Sequence, residues 1–173
     1  VTGSTLTITP DLNYNGDIVV DVTVSDGELI DNGSFTLTVN PINDPPVLSD
    51  VPNQSIDEDG VFTYDIQATD IDGDAITYSI VIILGDASYD LTDTQLTVTP
   101  DSDWNGDIQV SVAVFDGELA DSDSFTLTVN PVNDAPALIQ SFEDLDTEED
   151  DSNIVVTLSD YFIDIDSNEI IYS

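Results

Sequence analysis

The chain of 173 residues contains no lysine, arginine, histidine or cysteine. Without basic side chains, binding to nucleic acid or to an anionic membrane has no electrostatic basis. Without cysteine, no disulfide can indicate an oxidising compartment. The chain also lacks the usual basic and thiol groups that act as general bases, nucleophiles or oxyanion stabilisers in enzymes. The catalytic arrangement that remains is a pair of carboxylates, which can cleave glycosides in a deep pocket. We therefore expect no nucleic-acid partner and no enzymatic activity.

Long hydrophobic runs are also missing. The longest, Ile80–Leu84, has the length of a strand, whereas a helix that spans a bilayer needs about 20 apolar residues. We therefore expect no membrane insertion. The chain has no signal peptide and does not begin with Met, which indicates a mature product or an internal piece.

Acidic residues are what the chain has in excess. Its 37 Asp and Glu residues give a formal net charge of −37, so a compact fold repels itself unless cations come from solution. The hard oxygens of Asp and Asn suit calcium better than zinc or copper, and weak calcium sites are matched to the millimolar concentrations outside cells. We therefore predict Ca²⁺ as the cofactor and an extracellular or cell-surface location. The 40% of hydrophobic residues alternate with Thr, Ser and Asp, which argues against a disordered tail.

An internal repeat dominates the sequence. Residues 6–45 match residues 96–136, with Pro10 aligned to Pro100 and Pro41 to Pro131, a shift of 90 residues. Residues 55–78 match residues 146–172 more loosely. The pattern predicts half a repeat at 1–45, a complete repeat at 46–135 and half a repeat at 136–173. A period near 90 suits a β-sandwich of about seven strands.

Apolar alternation with a period of two predicts the strands. In the complete repeat we assign strand A near 54–57, B at 61–69, C at 75–83, D near 87–91, E at 94–99, F at 107–115 and G at 123–130. By the same pattern the first fragment holds E, F and G, and the last holds A, B and C. No stretch has a helical period with caps.

Each half repeat would expose one hydrophobic face, and two explanations stay open. In the first, Ala137–Ser173 of one chain completes Val1–Asn40 of the next in a head-to-tail filament of identical subunits. In the second, the chain is a window of a longer array. The join would supply five residues where the complete repeat has 16 between strands C and E, which favours the second explanation.

The junction motifs resemble those of cadherin repeats. These motifs are the linkers Asn40–Asp44 and Asn130–Asp134, the pairs Asp70/Asp72 and Asp164/Asp166, and the acidic turn Asp57–Asp59. The recurring patterns TPDxxxNG, VxDGE and FTLTVNPxNDxP resemble bacterial cadherin-like tandem repeats of large surface adhesins. The resemblance implies an all-β fold of tandem seven-stranded Greek-key sandwiches with linkers rigidified by calcium. The implied role is adhesive or structural, as a spacer or polymerising subunit whose partners are neighbouring repeats.

The resemblance also implies a set of calcium ligands at each junction, where the A–B and E–F turns of one sandwich meet the B–C and F–G turns of the next. At the first junction the set is Asp11, Asn43, Asp44, Asp70, Asp72 and Asp116. At the second it is Glu58, Asp101, Asp103, Asn130, Asn133, Asp134, Asp164 and Asp166. Asn-Pro stands in each linker where animal cadherins carry an acidic residue, which puts one ligand per site in doubt.

Some of the same residues have other interpretations. Acidic turns can be solvated loops, the interpretation favoured for Asp57, Asp59, Asp74 and Asp146. Trp104 and the equivalent Tyr14 precede Asn-Gly, which favours a buried corner ahead of strand F but also allows stacking on a sugar ring. The alternative function is therefore a carbohydrate-binding or homophilic module, with extracellular polysaccharide as its partner.

Overall fold

The computed structural model describes residues 3–149, 153–166 and 169–173. Within these residues the regular elements are β-strands and one 3₁₀ turn, so the predicted all-β class is confirmed. None of the described helices has the length and apolar composition needed to span a membrane.

The strands, in chain order, are β1 (Gly16–Ser25), β2 (Ile30–Val39), β3 (Val47–Leu48), β4 (Gln54–Asp57), β5 (Phe62–Asp65), β6 (Ala68–Thr69), β7 (Thr77–Leu84), β8 (Ala87–Thr92), β9 (Gln95–Pro100), β10 (Gly106–Phe115), β11 (Ala120–Asn130), β12 (Ala137–Leu138) and β13 (Phe162–Ile163). The 3₁₀ turn η1 spans Leu158–Asp160.

Two sheets form the β-sandwich. The four-stranded sheet has the order β4-β11-β10-β7, and the three-stranded sheet has the order β5-β9-β8. All pairs in the smaller sheet are antiparallel, whereas β4 runs parallel to β11. Alternate residues of the central strands are fully buried and form the core: Leu96, Val98, Ile108, Val110, Val112, Val114 and Leu127.

The chain divides into two compact units. One unit comprises Val1–Ser49, Gln67–Ser79 and Val112–Asp123, and the other comprises Asp50–Ile66, Ile80–Ser111 and Ser124–Ser173. The first unit contains the hairpin β1–β2, with Gly16 opposite Val39, and the short pair β3–β6. The second contains the sheet β5-β9-β8 and the short pair β12–β13.

The same local hydrogen bonds recur 90 residues apart. The Thr38 hydroxyl donates to Asp17 Oδ1 over 2.7 Å in the hairpin β1–β2. The Thr128 hydroxyl donates to Asp107 Oδ1 over 2.8 Å between β11 and β10. The similarity between the two segments therefore extends from sequence to side-chain geometry.

The hairpin β1–β2 leaves apolar side chains exposed that are buried in the complete repeat. Val112 and Val114 of β10 are 0% exposed. Their counterparts on β1, Val22 and Val24, are 38% and 61% exposed. Two strands alone therefore do not bury their apolar face.

Most predicted strands of the complete repeat are confirmed. Strand A is β4, strands C to G are β7 to β11, and their ends lie within three residues of the predicted ones. Strand B is interrupted at residues 66–67 and forms two strands in different sheets, since β5 pairs with β9 and β6 pairs with β3. The predictions also missed β3, whose two residues pair with β6.

The strand predictions for the flanking fragments are partly wrong. No strand forms over residues 6–9, the predicted strand E of the first fragment. The equivalent β9 takes its backbone partners from β5 and β8, and the first fragment has neither. Its strands F and G are β1 and β2, as predicted.

The last fragment also departs from its predicted strands A, B and C. Its described residues form β12, η1 and β13, with Ala137 opposite Ile163. The predicted strands have no equivalents of β9, β10 and β11 to pair with in this fragment. Parts of the matching segment, residues 150–152 and 167–168, lie outside the described residues.

Candidate metal centre

Glu58 lies in the turn after β4 and is held there by the backbone. Its N–H donates to Asn130 O over 2.9 Å, which extends the β4–β11 pairing by one residue. Asp59 follows with a φ of 59°, and Gly60 N donates to Asp57 O over 3.2 Å. This tight turn points consecutive carboxylates of Glu58 and Asp59 towards different partners.

The Glu58 side chain is only 6% exposed and joins two other segments. Its Oε1 accepts the N–H of Val132 in the linker. Its Oε2 accepts a hydrogen bond of 3.2 Å from Asn105 Nδ2 in the turn before β10. Hydrogen bonds to a charged acceptor compensate part of the cost of burying a carboxylate.

Two groups of carboxylates converge at the linker after β11. In the first triad, oxygens of Glu58, Asp134 and Asp166 all lie within 4.8 Å of one another. Oxygens bound to one calcium ion at about 2.3–2.6 Å are separated by at most about 5 Å, so the first triad fits around a single ion.

The second triad is built in the same way from Asp59, Asp103 and Asp134, whose oxygens also lie within 4.8 Å of one another. Asp103 has a φ of 56°, and its N–H donates to Asp59 Oδ1 over 3.2 Å. Asp134 belongs to both triads, so two neighbouring ion positions would share its carboxylate.

Negative charge accumulates around Asp134, which belongs to both triads. Desolvation raises the pKa of Asp134 above the ordinary aspartate value, and the negative charges of Asp166, Asp103, Asp59 and Glu58 raise it further. The chain has no basic side chain that could relieve this repulsion. The donor set, all hard carboxylate oxygens, fits a hard divalent cation such as calcium.

The Asp166 side chain contacts the backbone of the linker. Asp134 N donates to Asp166 Oδ2 over 2.5 Å, and Asp166 N donates to Asp164 Oδ1 over 3.1 Å. Asp164 therefore orients Asp166 but belongs to neither triad.

Three other predicted ligands of the second junction lie outside both triads. Asp101 is exposed, and its backbone bonds to Asp86 and Trp104. Asn130 donates to Asp57 Oδ1 over 3.4 Å, and Asn133 Nδ2 donates to Asp134 O over 2.8 Å. The asparagines therefore shape the linker in this structure.

At the first junction, Asp70 organises the loop between β6 and β7. Its Oδ1 accepts the N–H groups of Asp72 at 2.8 Å, Gly73 at 3.1 Å and Asp74 at 3.3 Å. Its Oδ2 is buried and has no hydrogen-bond partner. A buried carboxylate oxygen without a donor is costly, and a bound cation would satisfy it.

In the first linker, as in the second, a backbone N–H donates to an aspartate carboxylate. Asp44 N donates to Asp72 Oδ2 over 2.8 Å, the counterpart of the contact between Asp134 and Asp166. Asn43 Nδ2 donates to Asp116 Oδ2 over 2.9 Å. Asn43 and Asp116 line an open cleft together with Asp72, Asp74 and Glu118.

The pKa of Asp116 is shifted in the opposite direction to the pKa of Asp134. Its Oδ1 accepts the N–H groups of Leu119 and Glu118, both at 2.7 Å. These two hydrogen bonds lower the pKa of Asp116, and desolvation opposes them. Asp11 is exposed and uses its backbone oxygen for Tyr14 N. Among the described residues, the first junction has no carboxylate triad like those of the second.

Two residues of the second junction were not among the predicted ligands. The sequence interpretation assigned Asp59 to a solvated turn, yet it belongs to the second triad. Asn105 holds Glu58 in place. The sequence analysis treated Asn105 only as part of the Asn-Gly after Trp104, because a pairing between residues 47 apart in the chain has no local signature.

The two aromatic corners pack over glycines. A Cβ on Gly106 would lie 3.3 Å from the ring of Trp104, and one on Gly16 would lie 3.5 Å from Tyr14 Oη. Both glycines have positive φ, 136° and 122°, which lets the backbone pass beneath the ring. Trp104 is half-buried and Tyr14 is 40% exposed, so neither ring is fully buried.

Comparison with known proteins identifies one family. The family described as "Bacterial Ig domain" matches residues 43–130, which include β3 to β11. This match supports an Ig-like domain, and the narrower cadherin-like resemblance stays a prediction. No curated protein sequence matches the chain.

Three solved structures illustrate the structural similarity. The endo-fucoidan hydrolase MfFcnA4 of glycoside hydrolase family 107 is 21% identical over 68% of this chain and 19% of its own, with a TM-score of 0.42. Titin domain M7 is 15% identical over 53% of this chain and 99% of its own, with a TM-score of 0.38. Domains 4–9 of the surface layer protein SbsC are 14% identical over 80% of this chain and 22% of their own, with a TM-score of 0.40. At these low scores the similarities carry no argument about what this chain does.

Proposed function

This chain belongs to the bacterial Ig domain family, and on that premise we propose that it is an extracellular structural repeat whose junctions bind calcium. Its role would be that of a spacer or adhesive segment of a surface protein or fibre. The observation that carries the proposal is the pair of carboxylate triads that share Asp134 in a chain without a basic side chain.

The ligands proposed for the second junction come from four segments of the chain. Glu58 and Asp59 come from the turn after β4, Asp103 from the turn before β10, Asp134 from the linker and Asp166 from the region after β13. Calcium would supply positive charge at a point where these segments now repel one another. Because the ligands belong to separate segments, binding would also restrict the linker.

Support for a second site comes from the first junction. The buried Asp70 Oδ2 lacks a donor, and Asp72 already holds the linker through Asp44 N. We propose that Asp70, Asp72 and Asp116 contribute oxygens there, with Asn43 and Asp44 of the linker beside them. The lowered pKa of Asp116 keeps its carboxylate charged and available as a ligand.

Rigidity of the linkers can be tested by small-angle scattering. The maximum dimension of the intact chain is measured in calcium and in EDTA, for the wild type, Asp134→Asn and the control Asp50→Asn, whose exposed carboxylate lies outside both triads. We expect chelation to broaden the distance distribution of the wild type and of Asp50→Asn. Asp134→Asn should give the broad distribution even in calcium. An unchanged dimension on chelation would contradict the proposal.

A carbohydrate-binding role is the second candidate. Partial exposure of Tyr14 and Trp104 favours it, since a sugar ring stacks on an open aromatic face. Packing of both rings over glycines weighs against it. Calorimetric binding of an added oligosaccharide by the wild type that is lost in Trp104→Ala would support this role. The family and the lack of basic groups favour a non-catalytic module.

Head-to-tail assembly of identical chains stays a prediction. Deletion of Ala137–Ser173 should leave chains that do not elongate, as measured by sedimentation velocity. Elongation that persists after the deletion would exclude complementation by this segment.

A further inference from the structure

Strand β7 lies at one edge of the four-stranded sheet, so one side of its backbone has no strand partner within the part of the chain that the structure describes. An unpaired edge is a template for another chain, and proteins protect such edges with charged residues, proline or bulges. The other edge strands of the two sandwich sheets, β4, β5 and β8, each carry an aspartate. β7 carries no charged residue and no proline.

The outer face of β7 is also apolar. Ile80 points into the core and is 5% exposed, whereas Val81 and Ile83 are 56% and 59% exposed. Leu84 at the end of the strand is 56% exposed. In a chain with 37 acidic residues, an uncharged strand with three exposed aliphatic side chains is an exception. Val81 and Ile83 lie two residues apart on the same face of the strand, and exposed apolar side chains grouped in this way favour an interaction site.

Charge surrounds the end of this strand. Gly85 lies against β10, where an added Cβ would meet Ile108 Cγ1 at 2.8 Å and Asp107 O at 3.1 Å. On the other side of this glycine, exposed Asp86 follows β7 directly along the chain, and its carbonyl oxygen accepts the N–H of exposed Asp101 over 3.0 Å. The end of β7 therefore carries two neighbouring acidic residues, so positive charge beside the strand of a partner is favoured and negative charge is penalised.

We propose that Ile80–Leu84 of β7 is a docking edge for an extended segment of a partner protein, with an uncharged, apolar core flanked by Lys or Arg. Main-chain hydrogen bonds to the free edge would supply affinity, and the outer side chains would select the partner. A second copy of this chain is the poorer occupant, because it brings another 37 acidic residues and no basic one. This docking edge is separate from the carboxylate triads.

The test measures the binding of two fluorescent peptides to the intact chain in calcium. Both peptides alternate Val and Thr, and they differ in ending with two Lys or two Glu at each side. The chain is compared as wild type, Val81→Asp and Val61→Asp. Val61 is the matched control, because it is also 56% exposed and lies outside β7. If Val81→Asp does not fold, Ile83→Asp takes its place.

We expect the Lys-flanked peptide to bind and the Glu-flanked peptide not to bind. Val81→Asp should weaken binding at least about tenfold relative to Val61→Asp, because the first places a charge in the paired strand. Equal weakening by the two variants would overturn the proposal, since it would show general electrostatic attraction. Tight binding of the Glu-flanked peptide would do the same. Self-association of the chain that Val81→Asp abolishes would assign the edge to a second copy instead.

Discussion

Replacement of Glu58 by alanine removes a carboxylate that is 6% exposed and connects three segments. It accepts hydrogen bonds from Val132 N in the linker and from Asn105 Nδ2 in the turn before β10. Alanine leaves both donors without this acceptor. The same change also removes one negative charge from the first triad.

The magnitude follows from these two opposing effects. A hydrogen bond to a charged group contributes about 1.5–3 kcal/mol, so the two together are worth about 3–6 kcal/mol. Relief of repulsion from Asp134 and Asp166 offsets part of this. We expect Glu58→Ala to lower the free energy of unfolding by about 2–3 kcal/mol in calcium-free buffer.

Urea unfolding with and without calcium separates the structural role of Glu58 from its role as a ligand. Glu58→Gln keeps the shape and one acceptor, and Glu143→Gln is the control, because Glu143 is exposed and outside both triads. Calcium at 100 times its dissociation constant stabilises the wild type by about 2.7 kcal/mol. A tenfold loss of affinity in Glu58→Gln should lower this gain to about 1.4 kcal/mol.

Two results would refute this reasoning. If Glu58→Ala unfolds at the same urea concentration as the wild type, the buried carboxylate does not hold the linker. If calcium stabilises Glu58→Gln as much as it stabilises Glu143→Gln, Glu58 is not a ligand.

The remaining predictions concern pH and backbone strain. The pKa of Asp134 is raised in the fold, so its ionisation destabilises the calcium-free fold, and that penalty disappears as pH falls through the range just above the ordinary aspartate pKa of about 3.9. The pKa of Asp116 is lowered, so its stabilising contribution is lost only at lower pH, as pH falls through its folded value. The free energy of unfolding, measured with urea without calcium, should therefore rise and then fall on acidification. The initial rise should be smaller in Asp134→Asn. An equal rise in that variant would contradict the assignment of the rise to Asp134. Gly85→Ala should destabilise by about 1–3 kcal/mol more than Gly117→Ala, because an added Cβ would lie 2.8 Å from Ile108 Cγ1 at the first position, whereas at the second it would have no heavy atom within 4 Å beyond its chain neighbours. Equal thermal unfolding of the two variants would show that Gly85 does not need this close approach.

The alternation of apolar and polar residues predicted strands correctly where the chain also contains the neighbouring strands that they pair with. The predicted strands E, F and G of the complete repeat became β9, β10 and β11, which have neighbours on both sides. The same pattern at residues 6–9 formed no strand. Pairing is a non-local property, so the missing equivalents of β5 and β8 decide the outcome.

The acidic residues of the candidate metal centre were also predictable only in part from local sequence. Spacing and resemblance predicted Glu58, Asp103, Asp134 and Asp166, which the structure brings together in the two triads. Asp59 was missed because an acid in a turn resembles any solvated loop until its neighbours are known. Which of the many acidic residues converge depends on the linker path, which is fixed by contacts such as that of Asp134 N with Asp166.

A calorimetric titration of calcium tests the central claim most directly, because it measures binding itself. The wild type is compared with Asp134→Asn and with Asp50→Asn, which removes the same charge outside the triads. We predict saturable binding by the wild type and by Asp50→Asn, and a loss of binding sites in Asp134→Asn. Indistinguishable titrations of the two variants would contradict a calcium site centred on Asp134.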